Sequence, residues 1–353
     1  MRRMLRALPL TLSLFCVASC SLAQEPPPDG FNDSHFHLTN YVQEGITPKQ
    51  FLSIMGDRVQ RSTLFGIPLQ QHWSYRVNGD VAPTYYLDTD ADLYYYSFTD
   101  AAIAMAFRSL SPAEQKRFDP MITGFNPADM YAADHIKRVL KTFPGVFVGI
   151  GEFTIHKEFV SSKIAGDVAS LTDPALDRIL DFAAEAGLVA IIHNDMAMPF
   201  PKPEMEHTYS DQMIALLRRH PNSAIIWAHT GLGRVVRPIH DHMRVLESIL
   251  SDPQLSNVSF DISWDEVAKY FVESPESTKA AADLINRFPT RFLFGTDTVA
   301  PATAEKYFSI YEKYKPLFAL LTPDASRRVR FENYVQIFDR ARARVREWEH
   351  KNL

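Results

Sequence analysis

Four apolar runs in this chain, Val146–Glu152, Leu188–His193, Ala224–His229 and Arg291–Asp297, each end on a side chain able to ligate a metal. A fifth stretch, Asn32-Asp33-Ser34-His35-Phe36-His37-Leu38, sets two histidines two residues apart near the start. Short runs almost free of polar residues are what strands buried on both faces require, and such strands belong to parallel sheets covered by helices. Side chains alternate along a strand, so His35 and His37 project to the same side. Alone, a His-x-His pair is better explained as polar surface. Five ligand-bearing strand ends in sequence order point instead to one site.

Between these runs the chain supplies helices. Thr47-Pro48 has the form of a helix start, with a hydroxyl cap and proline in the first turn. Asp173-Pro174 opens an amphipathic helix to Ala186, which Gly187 ends. Strands are expected at Phe31–Leu38, Arg61–Pro68, Phe118–Phe125, Val146–Phe153, Val189–Asp195, Ala224–Gly231, Val258–Trp264 and Arg291–Thr298, each followed by a helix or helix-bearing connection. That alternation predicts a single α/β domain over residues 31–353, a (β/α)₈ TIM-type barrel whose site lies at the C-terminal strand ends. At 353 residues and 46% hydrophobic, the chain is large enough to bury such a core. An open doubly wound sheet is the alternative, but only closure brings Asp297 beside His35 and His37. Gln70–Asp92, aromatic and without a clean period, reads as a loop insertion after strand two, a lid or a substrate-binding segment. Two extra helices, near Thr303–Leu321 and Pro323–His350, are expected to close the chain.

The N-terminus opens Met1-Arg2-Arg3-Met4-Leu5-Arg6 and continues into the apolar run Ala7–Ala18, the layout of a bacterial secretion signal over residues 1–23. Val17-Ala18-Ser19-Cys20 resembles a lipobox, which would make Cys20 the lipidated first residue of the mature chain; Ser21-Leu22-Ala23 offers an ordinary signal-peptidase site instead. Residues 24–30, rich in proline, read as a tether. These features predict an exported protein, periplasmic or lipid-anchored to the envelope, with any membrane association through the lipid alone. The two cysteines, Cys16 and Cys20, both fall in this leader. Any metal in the mature chain must therefore be held by His, Asp and Glu, a set that suits zinc first and also manganese or iron. A formal charge of −5 argues against nucleic acid as a required partner.

The motifs Asp33-Ser34-His35-Phe36-His37, Gly149-Ile150-Gly151-Glu152, Ile192-His193, Ala228-His229-Thr230-Gly231 and Gly295-Thr296-Asp297, with Asn333 and Phe338 spaced as in a late helix of that group, resemble the amidohydrolase superfamily, closest to amidohydrolase family 2. The resemblance covers essentially the whole mature domain. It implies a first metal held by His35, His37 and Asp297. It assigns His193 and His229 to a second metal, or to a ligand and water-orienting role where one metal is used. Where many relatives carry a carboxylated lysine, this chain has Glu152, as TatD-type members do. Glu152 is thus a bridging or second-metal ligand, or else an acceptor for a histidine N–H. The implied chemistry is hydrolysis of an ester, lactone, amide or phosphoester bond of a small molecule by metal-activated water, with Asp297 moving the proton and His229 assisting.

For substrate contact the residues offer Arg234, suited to a carboxylate or phosphate or else a surface arginine; Trp264 and Asp261 at the end of strand seven; and His72 with Trp73 and Tyr75 in the insertion. His135, His156, His207, His220, His240 and His242 read as surface or loop residues. Two other functions stay open: a metal-dependent non-oxidative decarboxylase, since family 2 includes such relatives, and a binding lipoprotein without turnover. Barrels of this superfamily often pair, so a homodimer is expected.

Overall fold

The computed structural model describes residues 27–71, 73–84, 93–95, 98–158, 169–234 and 237–353. The leader with Cys20, and His72, lie outside the described residues. Eight strand positions alternate with helices: β1 (Phe31–Asp33, resumed at Phe36–His37), β2 (Val59–Leu64), β3 (Phe118–Ile122), β4 (Gly149–His156), β5 (Val189–Asn194), β6 (Ala224–Trp227), β7 (Val258–Asp261) and β8 (Phe292–Leu293, resumed at Thr298–Val299). Neighbours pair in parallel in sequence order from β1 to β8. The seam closes because Thr298 and Val299 pair in parallel with Phe36 and His37. Ser34 N–H donates to Phe294 O at 3.1 Å and Asp297 N–H to His35 O at 2.7 Å. The chain is the expected (β/α)₈ barrel.

Alternation sorts each strand between two cores. On β5, Val189 and Ile191 join Met121, Val148, Ile226 and Leu293 in an inner cluster, while Ala190 and Ile192 pack outward against the helices. In α1 (Pro174–Ala186), Leu176, Ile179, Leu180 and Ala183 form the buried stripe at helical spacing. Each large apolar side chain so buried stabilises the fold by about 1.5–3 kcal/mol. The inner cluster is stoppered at one end by Tyr334 and Phe338 of α2 (Asn333–Asn352). Tyr334 OH donates to Asp119 Oδ2 at 2.8 Å, and Asp119 also pairs with Arg61 at 2.8 Å and Arg342 at 2.6 Å. These side chains cover the inner cluster at that end, and the candidate ligands gather at the other.

Two glycines let strands approach. A Cβ on Gly151, which has φ +97, would meet Ile191 O at 2.1 Å, and one on Gly295 would meet the His35 Cβ at 2.8 Å.

Several local expectations change. The insertion begins and ends as a small antiparallel ribbon, Leu69–Gln71 with Leu93–Tyr95, with a helical turn at Tyr75–Asn78. An unforeseen helix, Asp265–Phe271, follows β7, and the last helix is broken by a π turn at Arg328–Glu332. The foot of the tether is fastened to the barrel, since Arg330 donates to Pro28 O at 2.6 Å. β4 runs three residues beyond Phe153, which puts His156 on the strand. His156, His220 and His242 are buried, so reading them as surface or loop residues fails. His156 stacks on Tyr209 at 3.8 Å, and His220 is held between Asp177 at 2.7 Å and Asp181 at 3.1 Å.

Asp100 offers a test of burial. Its Oδ1 accepts from the Thr123 and Gly124 N–H groups at 2.8 and 3.0 Å, and burial outweighs those bonds, pushing the carboxyl up to about 7. The folded value lies above the unfolded one. The stabilisation is therefore full below about pH 4 and is lost as pH rises through about 7. Urea denaturation at pH 5 and pH 8 should show that Asp100→Asn removes about 2–3 kcal/mol of this pH dependence. An unchanged pH dependence would assign it to other groups.

Candidate metal centre

At the C-terminal ends of β1, β4, β6 and β8, His35, Glu152, His229 and Asp297 converge, one donor atom of each lying within 4.8 Å of the others. Glu152 stands at the middle. Its Oε2 is 3.6 Å from Nε2 of both His35 and His37, and its Oε1 is 2.6 Å from His193 Nδ1 and 3.2 Å from His229 Nε2. Asp297 Oδ1 is 3.0 Å from His37 Nε2 and 3.4 Å from His35 Nε2, and its Oδ2 is 4.0 Å from His229 Nε2. His35, His37, Glu152, His193 and His229 are all buried.

Asp261, the last residue of β7, aims two of these rings. Its Oδ2 lies 3.1 Å from His35 Nδ1, and its Oδ1 accepts the His229 N–H at 2.8 Å. Ser263 Oγ, also bonded to Asp261, lies 2.8 Å from His229 Nδ1. Engaging Nδ1 of both rings turns each Nε2 toward Glu152 and Asp297, the arrangement of a metal-ligating imidazole with its partner behind it. His35 Nε2 is buried and makes no hydrogen bond. Such an atom costs about 1–3 kcal/mol unless something else satisfies it, and a divalent cation suits this donor set. His193 differs: Nδ1 faces Glu152 and Nε2 lies 3.0 Å from Asp195 Oδ1, so both nitrogens are engaged.

The backbone bends to achieve this. His229, Thr230, Trp264 and Asp297 have φ of 57°, 53°, 80° and 51°, the left-handed region that costs non-glycine residues about 1–3 kcal/mol each. These bends explain why β6 ends at Trp227, short of the strand expected from sequence, and why β8 is interrupted between Leu293 and Thr298. Burial pushes Glu152 up, but Lys157, His35 and His193 outweigh it and hold the carboxyl well below the usual range. At Asp297 burial is likewise outweighed, by His35, by the bond from His37 and by His229. On His35 burial opposes the charge, yet Glu152, Asp297 and Asp261 hold the ring well above its ordinary value. Burial keeps His229 low. A divalent ion would take the place of the proton that these carboxylates otherwise draw onto His35.

Over this centre the Trp264 ring lies 5.0 Å from that of His229. Lys157 Nζ and Arg234 Cζ each stand 5.2 Å from the Trp264 ring centroid. Arg234 also approaches Glu266 at 3.7 Å and Glu158 at 3.9 Å. From sequence, Asp261 reads as a pocket-lining residue or as one that caps or hydrogen-bonds a neighbour, and the structure shows the last of these, with His35 and His229 as the neighbours; Asp195 carries no role in that reading. The signal for Asp261 was present, because it is a carboxylate ending an apolar strand.

Solved structures share the fold at low identity. A dihydroorotase from Campylobacter jejuni superposes with a TM-score of 0.51 at 14% identity, over 88% of this chain and 83% of that one. An amidohydrolase II gives 0.52 at 15%, over 88% and 100%. A TIM-barrel protein from Bordetella bronchiseptica gives 0.50 at 13%, over 83% and 82%. No protein of curated function matches the chain. A family model described as amidohydrolase, Amidohydro_2, matches residues 33–339. That span holds every side chain converging on the candidate centre and all but the outer edges of the barrel, and the chain belongs to the amidohydrolase family.

Proposed function

We propose that this chain is a metal-dependent hydrolase that cleaves an ester, lactone, amide or phosphoester bond of a small anionic molecule. The observation that carries the reading is the buried, unbonded His35 Nε2 facing the carboxylates of Glu152 and Asp297. His35, His229, Glu152 and Asp297 hold the ion, with His37 beside Asp297 and His193 beside Glu152. Zinc, manganese and iron all accept nitrogen and oxygen ligands. When bound, the ion supplies an acidified water and polarises the scissile group.

The chain's own residues do the rest. Asp297 is held ionised, the form in which a carboxylate accepts the proton of the attacking water and returns it to the leaving group. Burial holds the His229 ring toward its neutral form, in which one nitrogen can bond Ser263 while the other, now 3.2 Å from Glu152, is available to ligate. Trp264 caps the centre against water, and the cations Lys157 and Arg234 beside its ring favour a substrate carboxylate or phosphate. The leader residues support export, with Cys20 lipidated or the chain cut after Ala23, and a homodimer fits the same reading.

The test strips the purified chain with a chelator and restores zinc, manganese or iron separately. Lactones, esters, amides and phosphoesters bearing a carboxylate are then supplied in ¹⁸O-water. Turnover that returns with metal and places ¹⁸O in the product is the expected result. Carbon dioxide release without ¹⁸O incorporation would replace hydrolysis with decarboxylation. Absence of turnover with every metal would overturn the enzyme reading.

A further inference from the structure

A second group of metal-type side chains lies outside this centre, where the chain enters two neighbouring helices. Glu206 and His207 directly precede the helix Thr208–Arg219, and His240 and Asp241 directly precede the helix His242–Ser251. The first pair ends the connection after β5 and the second ends the connection after β6. His240 Nδ1 lies 2.8 Å from Glu206 Oε2, and the His240 N–H donates to Glu206 Oε1 at 2.7 Å. The rings of His207 and His240 are 5.8 Å apart between centroids, and one donor atom from each of Glu206, His207 and His240 lies within 4.8 Å of the other two.

Asp241 supplies an independent observation. Its side chain is 9% exposed and its Oδ1 lies 3.4 Å from His207 Nε2. That oxygen is buried and has no hydrogen-bond partner. A buried carboxylate oxygen without a donor costs more than a neutral one, so the site is incomplete as it stands.

We propose that Glu206, His207, His240 and Asp241 form a second divalent transition-metal site, with zinc its best-suited occupant, that ties the β5 and β6 connections together. Zinc ligands at about 2.0–2.2 Å stand about 3.3 Å from one another; the donors of Glu206, His207 and His240 lie within 4.8 Å of one another and must draw in, and Asp241 Oδ1, 3.4 Å from His207 Nε2, joins them from the His207 side. Two imidazoles and two carboxylates select zinc over magnesium or calcium, which take oxygen ligands. The His240 side chain is 70% exposed, which gives the ion an open approach. Three positive charges oppose it. The helix N-termini each present about half a positive charge, and Arg244 bonds the other Asp241 oxygen. Each carboxylate faces one of the imidazoles, Glu206 that of His240 at 2.8 Å and Asp241 that of His207 at 3.4 Å, whereas Arg244 is 78% exposed and screened by salt.

The experiment compares zinc bound per chain, by elemental analysis after dialysis against buffered free zinc, in the wild type and in a His207→Ala/His240→Ala double variant. Neither substitution touches the candidate centre in the barrel, so its ions cancel in the difference. The wild type is expected to hold one equivalent more. Glu206→Gln keeps an acceptor for the His240 N–H and is the second variant, expected to weaken binding of that extra zinc by about tenfold or more. Arg244→Ala should tighten it. Equal zinc content in the wild type and double variant, or undiminished affinity in Glu206→Gln, would overturn the site whatever the barrel centre binds.

Discussion

In the Glu152→Ala variant, metal retained by the purified chain is expected to fall by about half or more, and turnover by about 10³-fold or more. Among the described residues, Glu152 is the one carboxylate that reaches His35, His37, His193 and His229 together, at 3.6, 3.6, 2.6 and 3.2 Å. Its removal leaves Asp297 as the only carboxylate of the four-residue cluster. Loss of a ligand charge from a buried site weakens the ion's hold, and the cavity left at β4 admits water where the reaction needs order. Elemental analysis of both proteins, purified without added metal, reads the outcome. About two equivalents in the wild type, falling to one or fewer, would make Glu152 a bridge between two ions. One equivalent untouched by the substitution would leave a single ion on the remaining residues, with Glu152 serving as the acceptor for His193. Absence of metal in both, even after reconstitution, would remove the metal centre altogether.

Asp33→Ala is expected to lower stability by about 4–5 kcal/mol at neutral pH. Asp33 is fully buried and accepts four bonds: from the His35 N–H at 3.0 Å, the Thr296 N–H at 2.9 Å, Thr296 Oγ1 at 2.7 Å and Tyr307 OH at 2.6 Å. Those donors belong to the first strand, the last strand and the helix behind them, so one carboxylate stitches the seam of the barrel. Alanine leaves all of them buried without an acceptor, at about 1–3 kcal/mol each before relaxation. Burial outweighs these bonds enough to push the carboxyl up to about 6, above its unfolded value. The stabilisation is therefore greatest below about pH 4 and declines as pH rises through about 6. Asp33→Asn should be milder, because the hydroxyls of Thr296 and Tyr307 can rotate to accept from the amide. Urea denaturation at pH 7 measures both. A loss under about 1 kcal/mol in the alanine variant would show that the strand ladder closes the barrel without this carboxylate.

Much of this architecture is legible locally. Thr47 caps its helix as read, with Gln50 completing a capping box, and Asp173, Pro174 and Gly187 bound their helix as read. These signals are local because a cap or a stop is made within a few residues of chain. Burial is less legible. His242 sits inside with both ring nitrogens unbonded, and burial holds it at about 4, yet nothing in its neighbourhood of sequence distinguishes it from exposed His240. The difference lies in which face of the helix start meets the barrel.

The run of apolar strands, each ending on His, Asp or Glu, set the fold and marked side chains that converge at one end of it, since a strand buried on both faces tolerates a polar end only where a partner awaits it. Which partner awaits is a matter of closure. Asp297 meets His37 across 260 positions of sequence, and Asp261 meets His35 across 226, only because β8 returns to β1. The left-handed turns at His229 and Asp297 and the capture of two imidazole Nδ1 atoms by β7 exist only once the barrel is formed. So does the meeting of Glu206 with His240. Local pattern chooses residue types; donor geometry depends on contacts between distant segments, and those are decided when the strands come together.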